Sequence, residues 1–233
     1  MSKLAFIFPG QGAQKAGMGK DFYENSEAAR SFFDNAQEIL DFDLKEMCFG
    51  EHEELNLTEY TQPCMVSVCL AIVQELKKRG INPDITAGLS LGEYAAVAAA
   101  GGMNELNAIK LVRRRGILMQ NTVPTGEGAM AAVLGLDAKK IEEILESFEN
   151  VWIANYNCPG QIVITGLTNE VKQASLALKE AGAKRVVELK VSGPFHSLLL
   201  KPAGEALLKE MESMSFSPLQ VPYIATVSYT HLR

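Results

Sequence analysis

Histidine is scarce in this chain: three residues among 233, His52, His196 and His231. A metal centre built on imidazoles is therefore short of ligands. The four cysteines, Cys48, Cys64, Cys69 and Cys158, do not supply the rest, because no pair has the Cys-x-x-Cys spacing of a zinc or redox site. The expectation is a reduced, cytoplasmic protein with buried thiols. Long apolar runs are also lacking, which excludes a transmembrane helix. "MSKLAFIFPG" has one lysine and too short an apolar stretch for a secretory leader. It reads instead as a buried first strand. Positive charge is in deficit, with 22 Lys and Arg against 28 Asp and Glu and a net charge of −6. That balance lacks the cationic stripe of a nucleic-acid binder. The basic residues gather in short clusters, Lys77-Lys78-Arg79, Arg113-Arg114-Arg115 and Lys184-Arg185, of the kind that end helices or face solvent.

What is present suits a packed protein of one large or two smaller domains: 47% of residues are hydrophobic and 21% charged. A strand at residues 4–8 leads into "PGQGAQKAGMG". This loop misses the dinucleotide fingerprint, since Lys15 stands where a third glycine is needed. It misses the phosphate loop too, since Met18 follows Gly17 in place of lysine. Its glycines still bring backbone N–H groups close to whatever lies beside the strand. Helical patterns follow at 21–40 and 61–79, the second with Pro63 in its first turn and Gly80 past its end. A strand then precedes Ser90, and another helix runs from about 104 to 121. Beyond it the rhythm changes to β-α-β-β-α-β over residues 126–192, with Asp137 capping the first helix and Cys158-Pro159-Gly160 joining the two middle strands. That order predicts a ferredoxin-like unit inserted in a larger α/β domain made of residues 1–125 and 193–233.

"DITAGLSLGEYAAVAAAGG" places Ser90 between two glycines, after a strand in which Ile85, Ala87 and Leu89 alternate with smaller or polar residues, and before an alanine-rich helix. Strand, Gly-x-Ser-x-Gly and helix together are the context of a nucleophile elbow. The glycines permit a cramped turn, and the helix N-terminus favours negative charge forming there. A tight βα turn with a capping serine is the plainer alternative. A serine nucleophile needs a base. His52 lies in an acidic, exposed-looking segment, and His231 is two residues from the end and expected to be mobile. His196, in the loop "VSGPFHSLLL", is the base that remains.

In the helix containing the arginine triplet, neighbours on one face lie three and four positions apart. Arg115 has Leu111, Val112, Leu118 and Met119 there, all apolar, and is the arginine most centred on a face expected to be buried. Burying a guanidinium without a partner costs several kcal/mol, roughly the effective penalty for one buried ion. Arg115 therefore calls for an anion, either a structural Asp or Glu or a substrate carboxylate held by two parallel hydrogen bonds.

"FIFPGQGAQ", "GLSLGEY", the "RRRG" arginine, "GAMAAV", "NYNCPGQIVITG" and "GPFHS" occur in that order and cover nearly the whole chain. Together they resemble the malonyl-CoA:acyl carrier protein transacylase family of fatty-acid synthesis. The resemblance implies an α/β fold: a hydrolase-like parallel-sheet domain with the ferredoxin-like subdomain inserted. It implies ping-pong acyl transfer, with Ser90 as nucleophile and His196 as general base. It implies that the N–H groups of Gln11 and Leu91 form the oxyanion hole, a device worth about 3–4 kcal/mol per donor. The resemblance further implies that Arg115 holds the malonyl carboxylate, that Asn157 lines the pocket and that Phe195 crowds out methyl-branched units. No cofactor is implied, because the CoA thioester is a substrate. The implied partners are malonyl-CoA and an acidic acyl carrier protein, which would need a positive patch such as Lys184, Arg185 and Lys190. Neither nucleic acid nor membrane is implied, and the protein is expected to be a monomer.

Two departures stand out. Leu89 occupies a position where the family often has histidine. The last residues, "SYTHLR", do not look like the family, whose members continue and supply a glutamine carbonyl that orients the catalytic histidine. The expectation is a C-terminally truncated chain with exposed apolar surface and weakened turnover. Two rival functions remain. A serine hydrolase would share the elbow but usually places an acid between serine and histidine; Asp137, the only aspartate there, reads as a helix cap, while glutamates are available. An inactive fragment that binds CoA or carrier protein is the other.

Overall fold

The computed structural model describes residues 3–189, 191, 193–227 and 231–232. In chain order the elements are β1 (Ala5–Phe8), α1 (Lys20–Asn25), α2 (Glu27–Gln37), α3 (Leu44–Phe49), α4 (Thr58–Lys78), β2 (Ile85–Gly88), α5 (Gly92–Ala99), α6 (Glu105–Thr122), β3 (Gly128–Leu134), α7 (Ala138–Leu145), β4 (Val151–Cys158), β5 (Gln161–Leu167), α8 (Thr168–Glu180), β6 (Arg185–Glu188), α9 (Lys201–Glu212), β7 (Tyr223–Ile224) and β8 (His231–Leu232). The chain divides into two units, Met1–Ile117 with Leu207–Arg233, and Leu118–Ala206.

The first unit holds a sheet in the order β1-β2-β7-β8, parallel from β1 through β7 and antiparallel at β8. Its core joins Phe8, Phe33, Leu44, Leu70, Leu91, Ile109 and Val112. The pattern at 21–40 is two helices, because Ser26 takes extended backbone (φ −126°, ψ 118°) and its hydroxyl accepts the Ala29 N–H to start α2. The same hydroxyl donates to Glu75 on α4. Between the helical patterns at 21–40 and 61–79 lies a further helix, α3, capped by Asp43, whose side chain accepts the Glu46 N–H. Helix α4 begins at Thr58, so Pro63 lies inside it rather than in its first turn. A proline there removes the N–H that would bond the Glu59 carbonyl four residues earlier. Arg113 supplies the substitute, donating from Nη1 to that carbonyl at 2.7 Å. In β2 the buried residues are Thr86 and Gly88, not the set Ile85, Ala87 and Leu89. The Thr86 hydroxyl donates to the Ala96 carbonyl of α5 at 3.0 Å, so the small and polar face takes the helix. Ile7, in mid-strand β1, is 77% exposed. His231, expected in a mobile terminus, pairs with Ile224 across β7 and β8.

The second unit holds a sheet in the order β4-β5-β3-β6, antiparallel throughout. With two helices and this order it is a ferredoxin-like sheet. Odd-numbered residues of β3 (Ala129, Ala131, Val133) meet Ile141 and Leu145 of α7 and Val171, Ala174 and Leu178 of α8. Even-numbered Met130 and Ala132 form a separate cluster with Val163, against which Leu189, Val191 and Phe195 pack. Burial on both faces explains why β3 reads as a continuous apolar run rather than an alternating one. The mixed α/β class, a parallel-sheet domain plus a ferredoxin-like subdomain, is as expected.

Candidate active site

Phe8 ends β1 directly beside Gly88 at the end of β2, in register. The contact continues one residue past β2, since the Leu89 N–H donates to the Phe8 carbonyl at 3.1 Å. Two glycines make this approach possible. A Cβ on Gly10 would lie 2.9 Å from the Leu89 carbonyl oxygen, and one on Gly92 would lie 2.3 Å from the Phe8 carbonyl oxygen. The "PGQG" loop thus lies against the elbow, which places Gln11 beside the Ser90 turn. Across the turn itself, a Cβ on Gly88 would lie 2.1 Å from the Gly92 carbonyl. Only glycine fits at either end of Gly-x-Ser-x-Gly.

Ser90 itself has φ 49°. Left-handed backbone at a non-glycine residue costs about 1–3 kcal/mol and persists where surrounding structure enforces it. Part of that enforcement is visible: the Ser90 N–H donates to Thr226 Oγ1 at 3.0 Å, and the Thr226 N–H donates to Glu93 Oε1 at 3.1 Å. Helix α5 starts immediately after Leu91. Among the described residues, the N–H groups of Gln11 and Leu91 have no hydrogen-bond acceptor. The Gln11 side chain is held from α4, its Nε2 donating to Thr58 Oγ1 at 3.3 Å.

Arg113 and Arg115 are both half-buried and Arg114 is exposed. Arg113, its side chain 11% exposed, is bonded to Asp41 and Glu59 and stacked over Phe42 and Tyr60. Arg114 pairs with Glu210. Arg115 is half-buried and makes no ion pair among the described residues; its guanidinium lies over the Tyr94 ring, 5.5 Å from the centroid. Tyr94 stands one helical turn after Ser90, so the cation belongs to the same corner of the unit. Burial pushes the Glu93 carboxyl above its usual range, against the Thr226 hydrogen bond and the positive charge of Arg115. Burial likewise raises the Tyr94 phenol, opposed by Arg115.

His196, Phe195 and Asn157 belong to the second unit. His196 is exposed and, with Ser90, is one of two described non-glycine residues at positive φ, here 60°. Its loop is fixed by Pro194, whose ring fills the space a Cβ on Gly128 would need (2.2 Å), and by Ser197 Oγ donating to the Pro194 carbonyl at 2.7 Å. Phe195 is half-buried against the Met130 cluster, so it has a packing role of its own. Asn157 is exposed near the end of β4, where the register shifts between Tyr156 and Cys158. Of the thiols, Cys48 and Cys64 are buried as expected and Cys158 is exposed, against expectation, because it ends a strand at the turn. Lys77, Lys78 and Arg79 each pair with a glutamate. Lys190 lies outside the described residues. Among the described residues no cluster could hold a metal ion, and no helix is long and apolar enough to cross a membrane.

The "acyl transferase domain" family model matches residues 5–232. The chain belongs to the acyl transferase domain family. It is 48% identical to the malonyl CoA-acyl carrier protein transacylase of Bacillus subtilis (strain 168), a match covering 98% of this chain and 74% of that protein. It is 43% identical to the protein of the same name from Staphylococcus aureus (strain MSSA476), covering 98% and 75%. Among solved structures, the MCAT of Streptococcus pneumoniae superposes with a TM-score of 0.93 at 41% identity, covering 99% of this chain and 77% of that one. A type II PKS acyl-carrier protein in complex with its malonyl-transacylase gives 0.95 at 38% identity, covering 100% and 77%. Within this acyl transferase, several residues around the site carry no motif of their own. Gly116 offers a signal, since a glycine inside a helix costs about 1 kcal/mol against alanine and marks a close approach. Glu93 and Thr226 offer none.

Proposed function

We propose that this chain transfers a malonyl group from CoA to the phosphopantetheine thiol of an acyl carrier protein, through a malonyl ester on Ser90. Ser90 Oγ attacks the thioester carbonyl while His196 accepts its proton. The oxyanion forms against the N–H groups of Gln11 and Leu91. The carbon–sulfur bond breaks, and the CoA sulfur leaves with the proton from His196. In the second half the carrier thiol attacks the ester, His196 takes the thiol proton, and Ser90 leaves with it. Arg115 holds the malonyl carboxylate throughout, by charge-assisted hydrogen bonds. Asn157 and Phe195 line the acyl pocket.

The observation that carries this reading is the serine at φ 49° between two glycines that no larger residue could replace, beside a loop with a free N–H, in a member of the acyl transferase family. A half-buried arginine that makes no ion pair among the described residues supports an acid-bearing acyl group. Two thioester exchanges at one serine need no cofactor. We assign the carrier-facing subdomain to residues 126–192 and the acyl-transfer domain to 1–125 with 193–233, acting as a cytoplasmic monomer. Mass spectrometry of the chain mixed with malonyl-CoA tests the reading: malonyl-Ser90 should appear and be discharged by the carrier thiol. Free malonate as the main product with carrier present would make it a hydrolase, and no adduct at all would leave only binding.

A further inference from the structure

Arg115 can read a carboxylate only if helix α6 holds it at a fixed height above the elbow, and the residues that set this height lie on either side of it. Two residues earlier, Arg113 Nη1 donates to the Glu59 carbonyl at 2.7 Å and to Glu59 Oε2 at 3.1 Å. That carbonyl is available because Pro63 cannot bond it within α4. One residue later, Gly116 lies against the same turn: a Cβ there would stand 2.7 Å from Glu59 Cα and 2.7 Å from the Thr58 carbonyl oxygen. Both near atoms are backbone, so no rotamer change could accommodate it. The same Thr58 holds the Gln11 side chain through its hydroxyl. One turn of α4 therefore touches the loop on one side and the arginine helix on the other.

We propose that Arg113 and Gly116 are positioning residues for acyl selectivity: by seating α6 on the first turn of α4, they set where Arg115 meets the substrate carboxylate relative to the oxyanion loop. The inference rests on the reading of Arg115 as the malonyl clamp. Gly116→Ala lifts α6 from Thr58 and Glu59 and carries Arg115 with it. An acyl group without a carboxylate does not use that contact, so its binding is insensitive to the shift.

The test is calorimetric binding of malonyl-CoA and acetyl-CoA to the full chain carrying Ser90→Ala, which removes turnover. With Gly116→Ala added, malonyl-CoA affinity should fall at least tenfold and acetyl-CoA affinity less than twofold. Arg113→Lys, which keeps the charge but loses the fork that spans Glu59 and Asp41, should show the same asymmetry. It carries the test if the alanine variant does not fold. Equal losses for both thioesters would mean general damage and overturn the proposal, as would unchanged malonyl-CoA binding. Arg115→Met separates the layers. If it leaves malonyl-CoA binding intact, the clamp reading itself is wrong; if it weakens binding while Gly116→Ala and Arg113→Lys do not, only the brace is wrong.

Discussion

Replacing Gly92 by alanine adds one methyl group to the elbow, and the surroundings of that methyl fix the outcome. The new carbon would lie 2.3 Å from the Phe8 carbonyl oxygen and 2.8 Å from both the Phe8 carbonyl carbon and the Pro9 carbonyl oxygen. Ordinary contact is longer by about 1 Å at the closest of these. All three atoms are backbone, so relief requires the end of β1 and the start of α5 to separate by roughly that amount. Overpacking of this kind typically costs about 1–3 kcal/mol of stability. The effect on chemistry should be larger. Oxyanion donors work within a window of about 2.7–3.1 Å, and loss of one costs about 2.7–4 kcal/mol, or 10²–10³ in rate. Separating the two proposed donors, the N–H groups of Gln11 and Leu91, by about 1 Å removes one of them from that window. The assay is the rate of malonyl-Ser90 formation by quenched mass spectrometry, with thermal unfolding alongside. Gly204→Ala is the control, because its Cβ meets nothing within 4 Å. A folded Gly92→Ala protein that acylates within threefold of the parent would refute the claim that glycine is needed there to join the two donors.

Three further outcomes are expected. Arg115→Met should cost malonyl-CoA loading about 10–100-fold while sparing acetyl-CoA, given about 1.5–3 kcal/mol for a hydrogen bond to a charged group; loading assays with the two thioesters measure the ratio. The Ser26 hydroxyl and then Arg79 hold the Glu75 carboxyl below its usual range. A depressed folded value means stabilisation present above the unfolded carboxylate pKa and lost as pH falls through the folded one. The gap in melting temperature between the parent and Glu75→Gln should therefore be widest near neutrality and close in acid; a gap that does not narrow on acidification argues against the assignment. Burial pushes the Cys64 thiol well up and the Cys69 thiol up to about 11. Native labelling at mildly alkaline pH should modify exposed Cys158 first, and peptide mapping that finds Cys64 labelled as fast would contradict the packing of α3 on α4.

Period and punctuation made the second unit legible. β-α-β-β-α-β could be read directly because turn glycines, the Asp137 cap and short apolar runs all act locally. The elbow was legible for the same reason, since its glycines and serine fall within five residues. The first unit was harder where contacts are distant. Ser26 interrupts the 21–40 pattern because its hydroxyl has a partner on α4, which nothing in positions 21–40 reveals. Nor does the alternation in β2 show which face is buried: Thr86 is, because it has a carbonyl to donate to on α5.

The sequence by itself determined the class of each unit and the turn that presents Ser90, because backbone periodicity and glycine's missing Cβ are properties of neighbouring residues. Only the tertiary structure gave each arginine its partners. Helix geometry ranks faces by their own apolar content, which picks out Arg115 and says nothing of a pocket for Arg113. The pocket that receives Arg113 is made by Asp41, Glu59, Phe42 and Tyr60, all more than 50 positions away, and by a carbonyl that Pro63 leaves open. A buried charge goes where its partners are, and those partners are brought together only by the fold.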